Sequence, residues 1–179
     1  EGWIAASALA ERYENIYWTA GIHPHEANLA AEENLKKMKG LKSTPAGKKL
    51  VAFGEMGLDY FKNHQTKEVQ QKAFRAQLVI ARELNLPVII HCRDAYADAF
   101  KILSEEGITR AVFHCFSGTS SEAQECFARG YFVSFTGICT YPKAENIREI
   151  IATAPIDKIM IETDCPYLAP QSKRGKRNE

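Results

Sequence analysis

The segment "LVAFGEMGLDY" (residues 50–60) joins a short apolar run to two acidic residues that stand among glycines. Glu55 directly follows the apolar run, and Asp59 comes four residues later. A carboxylate that is buried away from water is costly unless it is paired or bound to a metal ion. The segment therefore indicates either a satisfied structural ion pair or one edge of an active site.

Apolar runs of this kind recur along the chain and alternate with helical patterns. They cover residues 16–22, 50–55, 87–92, 110–115, 131–137 and 158–164. Because the runs are nearly continuous in apolar character, they are typical of strands buried on both faces. Their alternation with helices predicts parallel βαβ units and an α/β fold. Six such strands fit an open doubly wound sheet or most of an eight-stranded barrel, and the pattern alone does not separate the two.

Local signals also predict where the helices begin and which face they bury. Residues 66–85 carry one apolar stripe, formed by Val69, Ala73, Ala76, Ile80 and Leu84. Thr66 and Asp94 are predicted N-caps, and "TSSE" (residues 119–122) predicts a capping box.

Composition sets broad limits on the class of protein. The 179 residues suit a single domain over residues 1–179, and a net charge of +1 does not describe a strongly basic nucleic-acid binder. The five cysteines are odd in number and form no CxxC pair, which indicates a reducing compartment, so we expect a cytoplasmic protein, or a nuclear one in a eukaryote. No apolar run is long enough to cross a bilayer, and no membrane partner is expected. The oligomeric state is not readable from the sequence.

Residues with acid–base or metal-binding chemistry collect where the predicted strands end. They are His23 and His25, then Glu55, then His91, Arg93 and Asp94, then His114, and finally Glu162 and Asp164. In either α/β architecture the carboxyl ends of the strands form one functional face. Mixed imidazole and carboxylate ligands suit zinc, manganese, iron or magnesium, and a pair of such ions activates water for phosphoryl displacement. The spacing therefore predicts a metal site on that face.

Six motifs in order, "GIHPHE", "GEMGLDY", "IIHCRDA", "HCFSG", "ETDCPYLAP" and "RGKRNE", carry a family resemblance. Over residues 16–179 the chain resembles the TatD-related metal-dependent deoxyribonucleases of the amidohydrolase type. The resemblance implies a (β/α)8 TIM barrel, incomplete in this chain with about six strand–helix units. It also implies that divalent cations, two per complete site and of Mg, Mn or Zn, support hydrolysis of phosphodiester bonds in a DNA substrate by metal-activated water.

The same resemblance implies roles for individual residues. Glu55 is similar to the bridging metal ligand, and His91 and His114 to ligands of one metal. Asp164 is similar to a ligand of the other metal that also accepts a proton from water. His23 is similar to a catalytic or substrate-phosphate contact, so that Glu55, Asp164 and His23 form the implied catalytic set. Arg93, Arg174 and Arg177 are implied to face the substrate.

One motif of the family has no counterpart in its usual place. The family begins with a strand that ends in His-x-His, whereas His23 and His25 here belong to "HPH", a later element. We expect either that the sequence is a fragment of a full barrel or that it is a short form missing part of one metal site. The missing His-x-His motivates one alternative to a nuclease, a non-catalytic, metal-deficient remnant that binds nucleic acid. A second alternative, independent of that motif, is an amidohydrolase-type enzyme that acts on a small substrate.

Overall fold

A computed structural model describes residues 2–179, and the chain divides into two compact units. The first unit ends at Ala111, and the second comprises Val112–Glu179. The expectation that residues 1–179 form a single domain stays a prediction.

The first unit is built from three parallel strands and four α-helices. In chain order these are α1 (Gly2–Arg12), β1 (Trp18–Ala20), α2 (Glu32–Gly40), β2 (Leu50–Asp59), α3 (Lys67–Glu83), β3 (Val88–Arg93) and α4 (Tyr96–Glu105). Strand β2 lies in the middle and pairs in parallel with both β1 and β3. The core between sheet and helices is apolar, and Phe53, Leu58, Phe74 and Leu103 are fully buried in it.

The second unit repeats the alternation of strand and helix. It contains β4 (Ala111–Phe113), which starts at the boundary, then α5 (Ser120–Ala128), β5 (Phe132–Phe135), α6 (Glu145–Thr153) and β6 (Ile159–Ile161). Strand β5 pairs in parallel with β4 and with β6. Three parallel strands in each unit, with helices between them, confirm the predicted α/β class and the six strand–helix units.

Strand β2 is longer than the sequence predicted. The apolar run ended at residue 55, which placed Glu55 at the end of the strand, but β2 continues to Asp59. Its register with β3 shifts between Phe53 and Met56, so Glu55 lies within an irregularity of the ladder. Such irregularities redirect a side chain that regular pleating would place elsewhere. Glu55 therefore sits inside the strand, at the point where its pairing is interrupted.

The remainder of β2 approaches β3 unusually closely, and Gly57 makes this possible. Its backbone has a φ of +141°, and a Cβ atom added there would lie 2.0 Å from the carbonyl oxygen of His91. A side chain at this position would clash with the backbone of β3 and would also strain its own backbone. The second glycine of the "GEMGLDY" segment is thus required by the packing of the two strands.

Two of the three predicted helix starts are confirmed. The Thr119 hydroxyl accepts from the backbone N–H of Glu122, whose side chain returns to the Thr119 N–H, which completes the capping box. Thr66 Oγ1 accepts from Val69 N at 3.4 Å. The prediction for Asp94 is wrong: α4 is preceded by Ala95, no side chain caps it, and Asp94 has a φ of +54°. Its backbone belongs to the turn between β3 and α4, one residue before the cap position.

Helix α3 buries two residues of the predicted stripe, Ala73 and Ile80, together with a neighbouring face that was not predicted. Its buried residues are Gln70, Ala73, Phe74, Gln77, Leu78, Ile80 and Ala81, whereas Val69 is exposed. Two glutamines on the buried face explain the error, because a search for apolar spacing assigns polar residues to the solvent side. Both side-chain amides are satisfied by backbone groups, as buried polar groups generally are.

No helix within residues 2–179 is both long and apolar enough to cross a membrane. The longest α-helix of this part of the chain, α3, has 17 residues, and charged side chains interrupt its sequence.

We predict that Gly57→Ala destabilises the protein by about 2–4 kcal/mol, because the new Cβ must displace the β3 backbone. Gly107→Ala is the matched control. Gly107 also has a positive φ, of +66°, but nothing lies within 4 Å of an added Cβ, so we expect a loss of only about 1 kcal/mol. Urea unfolding followed by circular dichroism measures both values. Equal losses for the two variants would contradict the packing argument.

Candidate metal centre

Four polar side chains of the first unit meet around His91 of β3. His91 Nδ1 lies 2.7 Å from Glu55 Oε1, and His91 Nε2 lies 3.1 Å from Asp59 Oδ2. On the far side of each carboxylate stands another imidazole: His23 Nε2 is 3.2 Å from Glu55 Oε1, and His25 Nε2 is 2.7 Å from Asp59 Oδ2. Imidazole and carboxylate therefore alternate through five residues, in the order His23, Glu55, His91, Asp59 and His25.

The backbone determines which nitrogen of His23 is available. The N–H of His25 donates to His23 Nδ1 at 3.2 Å, so that Nδ1 acts as the acceptor. In the neutral ring the proton then sits on Nε2, the nitrogen that faces Glu55. His23 thus presents a hydrogen-bond donor toward the carboxylate. The catalytic or substrate-phosphate contact that the family resemblance implied for His23 stays a prediction.

Asp59 is the most buried member of this cluster, with 1% of its surface exposed. Its Oδ1 accepts from the backbone N–H groups of Phe61 and Lys62, at 3.0 and 2.8 Å, which leaves Oδ2 for the two histidines. Burial raises the pKa of the Asp59 carboxyl, but the bonds from Lys62 N, His25 and His91 outweigh burial and hold the pKa below its ordinary value. Asp59 therefore supports two histidines and also closes the turn that follows β2.

His25 is half-buried and lies against the rings of His23 and His64. Burial lowers the pKa of His25, and the neighbouring His23 and His64 add to the effect, which outweighs the bond to Asp59. His64 lies in a loop and gave no sequence signal, yet its ring centroid is 4.5 Å from that of His25. The lowered pKa favours a neutral imidazole, the form that binds metal ions.

Two glutamines of α3 fix the backbone on either side of the cluster. Gln70 accepts from Asp59 N at 2.7 Å and donates to Asp59 O at 3.0 Å. Gln77 does the same for Ile22, next to His23 in the chain, at 2.6 and 3.1 Å. Each side-chain amide pairs with the backbone N–H and C=O of one residue, as a peptide group of a neighbouring strand would. It thereby holds the backbone of that residue in place. Sequence analysis missed both residues, because a glutamine on a helix carries no indication of what it will contact.

The donor atoms of the first unit fit a divalent cation. The ring nitrogens of His23, His25 and His91 include a set within 4.8 Å of one another, and Glu55 Oε1 adds an oxygen beside two of these rings. Nitrogen and oxygen donors in this mixture suit zinc, manganese or iron. The structure therefore contains His and Glu groups that are able to bind metal, as the sequence predicted.

In the second unit, a carboxylate orients the predicted ligand His114. Glu162 Oε2 lies 3.3 Å from His114 Nδ1, while Glu162 Oε1 accepts from Cys115 N at 2.7 Å and from Ser134 Oγ at 2.6 Å. Burial raises the pKa of Glu162, but the bonds from His114, Ser134 and Cys115 N outweigh burial and lower it below its ordinary value. Outer carboxylates of this kind fix the ring orientation of metal-binding histidines.

Asp164 lies in the loop that follows β6. Its backbone has a φ of +55°, and its carbonyl accepts from Tyr167 N at 2.9 Å. The buried Asn178 spans this loop, since its Nδ2 donates to Thr163 O at 2.6 Å and to Tyr167 O at 2.7 Å. The segment that carries Asp164 is thus held on both sides by one amide group from "RGKRNE". Nothing in the sequence pattern distinguished Asn178 from its charged neighbours.

The three arginines predicted to face the substrate have different surroundings. Arg93 stacks on Phe61, with Cζ 3.7 Å from the ring centroid, and Arg174 stacks on Tyr141 at 4.5 Å. Arg177 instead lines a cavity of the second unit. Stacking leaves the edge of a guanidinium open for hydrogen bonds, so these positions are compatible with substrate contact, and the assignment stays a prediction.

Comparison with known proteins decides the family. The sequence model of the family described as "TatD related DNase" matches residues 1–179 of this chain. The chain belongs to the TatD-related DNase family. It is 43% identical over 176 residues to an uncharacterised metal-dependent hydrolase, YabD of Bacillus subtilis, and 42% identical over 185 residues to the 3′–5′ ssDNA/RNA exonuclease TatD of Shigella flexneri. Each alignment covers 97% of this chain and 68% of the relative.

Solved structures of the TatD family have the same fold. The Escherichia coli K12 TatD homologue YJJV superimposes with a TM-score of 0.91 at 31% identity, over 98% of this chain and 68% of that one. A TatD family hydrolase from Entamoeba histolytica gives a TM-score of 0.81 at 30% identity, over 92% and 57% of the two chains. The predicted TIM-barrel class is confirmed, and this chain supplies six strand–helix units of it.

We predict that Asp59→Asn lowers the free energy of unfolding at pH 7 by about 1–3 kcal/mol, because an amide cannot accept from all its present donors. The folded-state pKa of Asp59 lies below its ordinary value, so its ionised form is the stabilising one. That contribution is present above the ordinary pKa of about 3.9 and is lost as the pH falls through the lower folded-state value.

Urea unfolding at pH 7, 5 and 3 tests this prediction. The difference between the wild type and Asp59→Asn is expected to shrink at pH 3. The exposed Asp157→Asn serves as the control and is expected to change stability little at any pH. A difference that stayed constant from pH 7 to pH 3 would contradict the assigned role of the ionised carboxylate.

Proposed function

We propose that this protein hydrolyses phosphodiester bonds in DNA with the help of divalent cations. The observation that carries the proposal is the alternating series from His23 through Glu55, His91 and Asp59 to His25, found in a member of the TatD-related DNase family. Such a series places imidazole nitrogens around carboxylates that are already held in position. Relatives described as 3′–5′ ssDNA/RNA exonucleases support a single-stranded substrate.

The residues that would hold the cations are assigned separately for each unit. In the first unit, Glu55 and His91 are the proposed ligands, and their contact of 2.7 Å supports the pairing. In the second unit His114, oriented by Glu162, and Asp164 have the same proposed role. We propose two cations per complete site, of Mg, Mn or Zn. When bound, such cations polarise a phosphoryl oxygen and lower the pKa of water.

The remaining chemistry belongs to protein side chains. The Asp164 carboxylate accepts a proton from the attacking water, which adds to phosphorus as the bond to the leaving oxygen breaks. His23 Nε2–H donates a hydrogen bond to a phosphate oxygen, which its tautomer permits. Arg93, Arg174 and Arg177 bind the phosphates of the flanking strand. Asp59 and Glu162 keep His91 and His114 in the orientation that the chemistry requires.

A cytoplasmic location completes the proposal. Within residues 2–179, none of the five cysteines forms a disulfide, as expected in a reducing compartment. This arrangement supports a cytoplasmic protein, or a nuclear one in a eukaryote.

We predict that Glu55→Gln and Asp164→Asn each reduce hydrolysis of DNA by at least about 100-fold, because each removes a proposed ligand or proton acceptor. The measurement uses the purified protein, stripped of metal and then supplied with magnesium, manganese or zinc. A labelled single-stranded DNA of about 20 nucleotides is the substrate, and an RNA of the same sequence tests the choice of sugar. Glu11→Gln and Asp157→Asn, both exposed, are the matched controls and are expected to retain wild-type rates.

Activity that survived both changes would overturn the assignment. A metal-deficient remnant would bind DNA without cleaving it and would show fewer than two metal ions per chain by elemental analysis. An enzyme for a small substrate would show no salt-dependent affinity for DNA, since phosphate contacts weaken with salt.

A further inference from the structure

A cavity of about 490 Å³ lies in the second unit beside the loop that carries Asp164. Its lining includes Glu162 and Thr163 from that loop, and Lys173, Lys176, Arg177 and Asn178 from the last segment of the chain. Thr163 precedes Asp164 directly in the sequence. The cavity is therefore formed by one face of the proposed catalytic loop and by a basic segment folded against it.

The charge around this cavity is positive. Within residues 2–179, Lys173, Lys176 and Arg177 form no ion pair, unlike Arg129, which is paired with Glu125. Of the two acidic residues on the lining, Glu162 is engaged by His114, Ser134 and Cys115 N, and Glu179 is the other. Three cationic residues thus line a space that has one carboxylate not already engaged by hydrogen-bond donors, an arrangement that attracts an anion.

The basic segment is held at both of its ends. On one side, Gln171 N donates to Thr140 Oγ1 at 2.8 Å, and Lys173 N donates to Pro170 O at 2.8 Å. On the other side, Asn178 is buried, with 7% of its surface exposed, and donates to two carbonyls of the Asp164 loop. The anchoring fixes the backbone of the segment that carries the three cations and reduces the entropy lost when a ligand binds.

We propose that this cavity binds one phosphate group of a nucleic-acid strand through Lys173, Lys176 and Arg177. The inference rests on the proposed function for its choice of nucleic acid as the source of the phosphate. Because the same side of the cavity includes Thr163, the bound phosphate lies next to the loop of Asp164. Lys173 and Lys176 act as point charges, while the guanidinium of Arg177 is able to donate two parallel hydrogen bonds to phosphate oxygens.

Binding in the absence of metal tests the proposal without turnover. Fluorescence anisotropy measures the affinity of the protein for labelled oligothymidylate of eight nucleotides, in EDTA, from 50 to 200 mM salt. We expect Lys176→Gln and Arg177→Gln each to weaken binding about fivefold or more. Each is also expected to lower the dependence of log K on log salt by about 0.7, the value for one contact to a single strand.

Lys143→Gln is the matched control. Lys143 is an exposed lysine of the same unit that does not line the cavity, so its loss is expected to leave affinity within about twofold of the wild type. Thermal unfolding confirms that each variant is folded. If Lys176→Gln and Arg177→Gln behaved like Lys143→Gln, the phosphate site would be wrong.

Two further probes identify the source of the phosphate. An oligothymidylate with an uncharged methylphosphonate backbone is expected to bind weakly and equally to wild type and variants. Calorimetry with inorganic phosphate is expected to show much weaker binding than the oligonucleotide. Tight binding of inorganic phosphate that Arg177→Gln abolishes, with no effect on the oligonucleotide, would overturn the nucleic-acid assignment.

The outcome for this cavity is separable from that for the proposed function. DNA that is bound through Lys176 and Arg177 but never cleaved would contradict the nuclease and support the cavity. DNA that is cleaved with full sensitivity to Glu55→Gln, but bound without any contribution from Lys176 and Arg177, would contradict the cavity alone.

Discussion

The candidate centre of the first unit depends on one buried carboxylate. Asp59 accepts four hydrogen bonds: two from backbone N–H groups and two from the rings of His25 and His91. Without the backbone donors, an anion with 1% exposure would be expelled or protonated. Because they stabilise its charge, Asp59 remains an acceptor and fixes the direction of both rings. Helix α3 completes the arrangement, since Gln70 pairs with both backbone groups of Asp59 itself.

Close packing of backbone segments positions Glu55 in the same cluster. The irregularity in β2 turns Glu55 toward His91 and His23, and this requires chain segments that approach more closely than side chains allow. Glycine satisfies the requirement: a Cβ on Gly21 would lie 2.5 Å from Gly54 C, and one on Gly54 would lie 2.6 Å from Ile89 Cβ. The glycines of "GEMGLDY" are therefore needed because they have no side chain, which lets the neighbouring backbone pass close to the two acidic residues.

Part of the fold and part of the candidate site could be predicted from the sequence, and there are physical reasons why some predictions succeeded and others failed. Strand–helix alternation and the strand-end positions of His91 and His114 follow from apolar patterning, which is a local property. The burial of Gln70 and Asn178 does not follow from apolar patterning. Their polar amides are stable inside the protein only when backbone groups distant in the sequence form hydrogen bonds with them. The sequence also failed to predict the buried glutamines of α3 and the full length of β2, since both depend on partners that no spacing rule identifies.

In each of the two units, a carboxylate fixes the orientation of one histidine ring. Asp59 positions His91 in the first unit and Glu162 positions His114 in the second, and each carboxylate also accepts from at least one backbone N–H. In both, these hydrogen bonds keep the pKa of the acid low despite burial. The carboxylates are thus anionic acceptors at neutral pH, and the rings they hold have fixed orientations in the protein without added ligands. A centre prearranged in this way loses little conformational entropy when a cation binds, since the fold has already ordered its side chains.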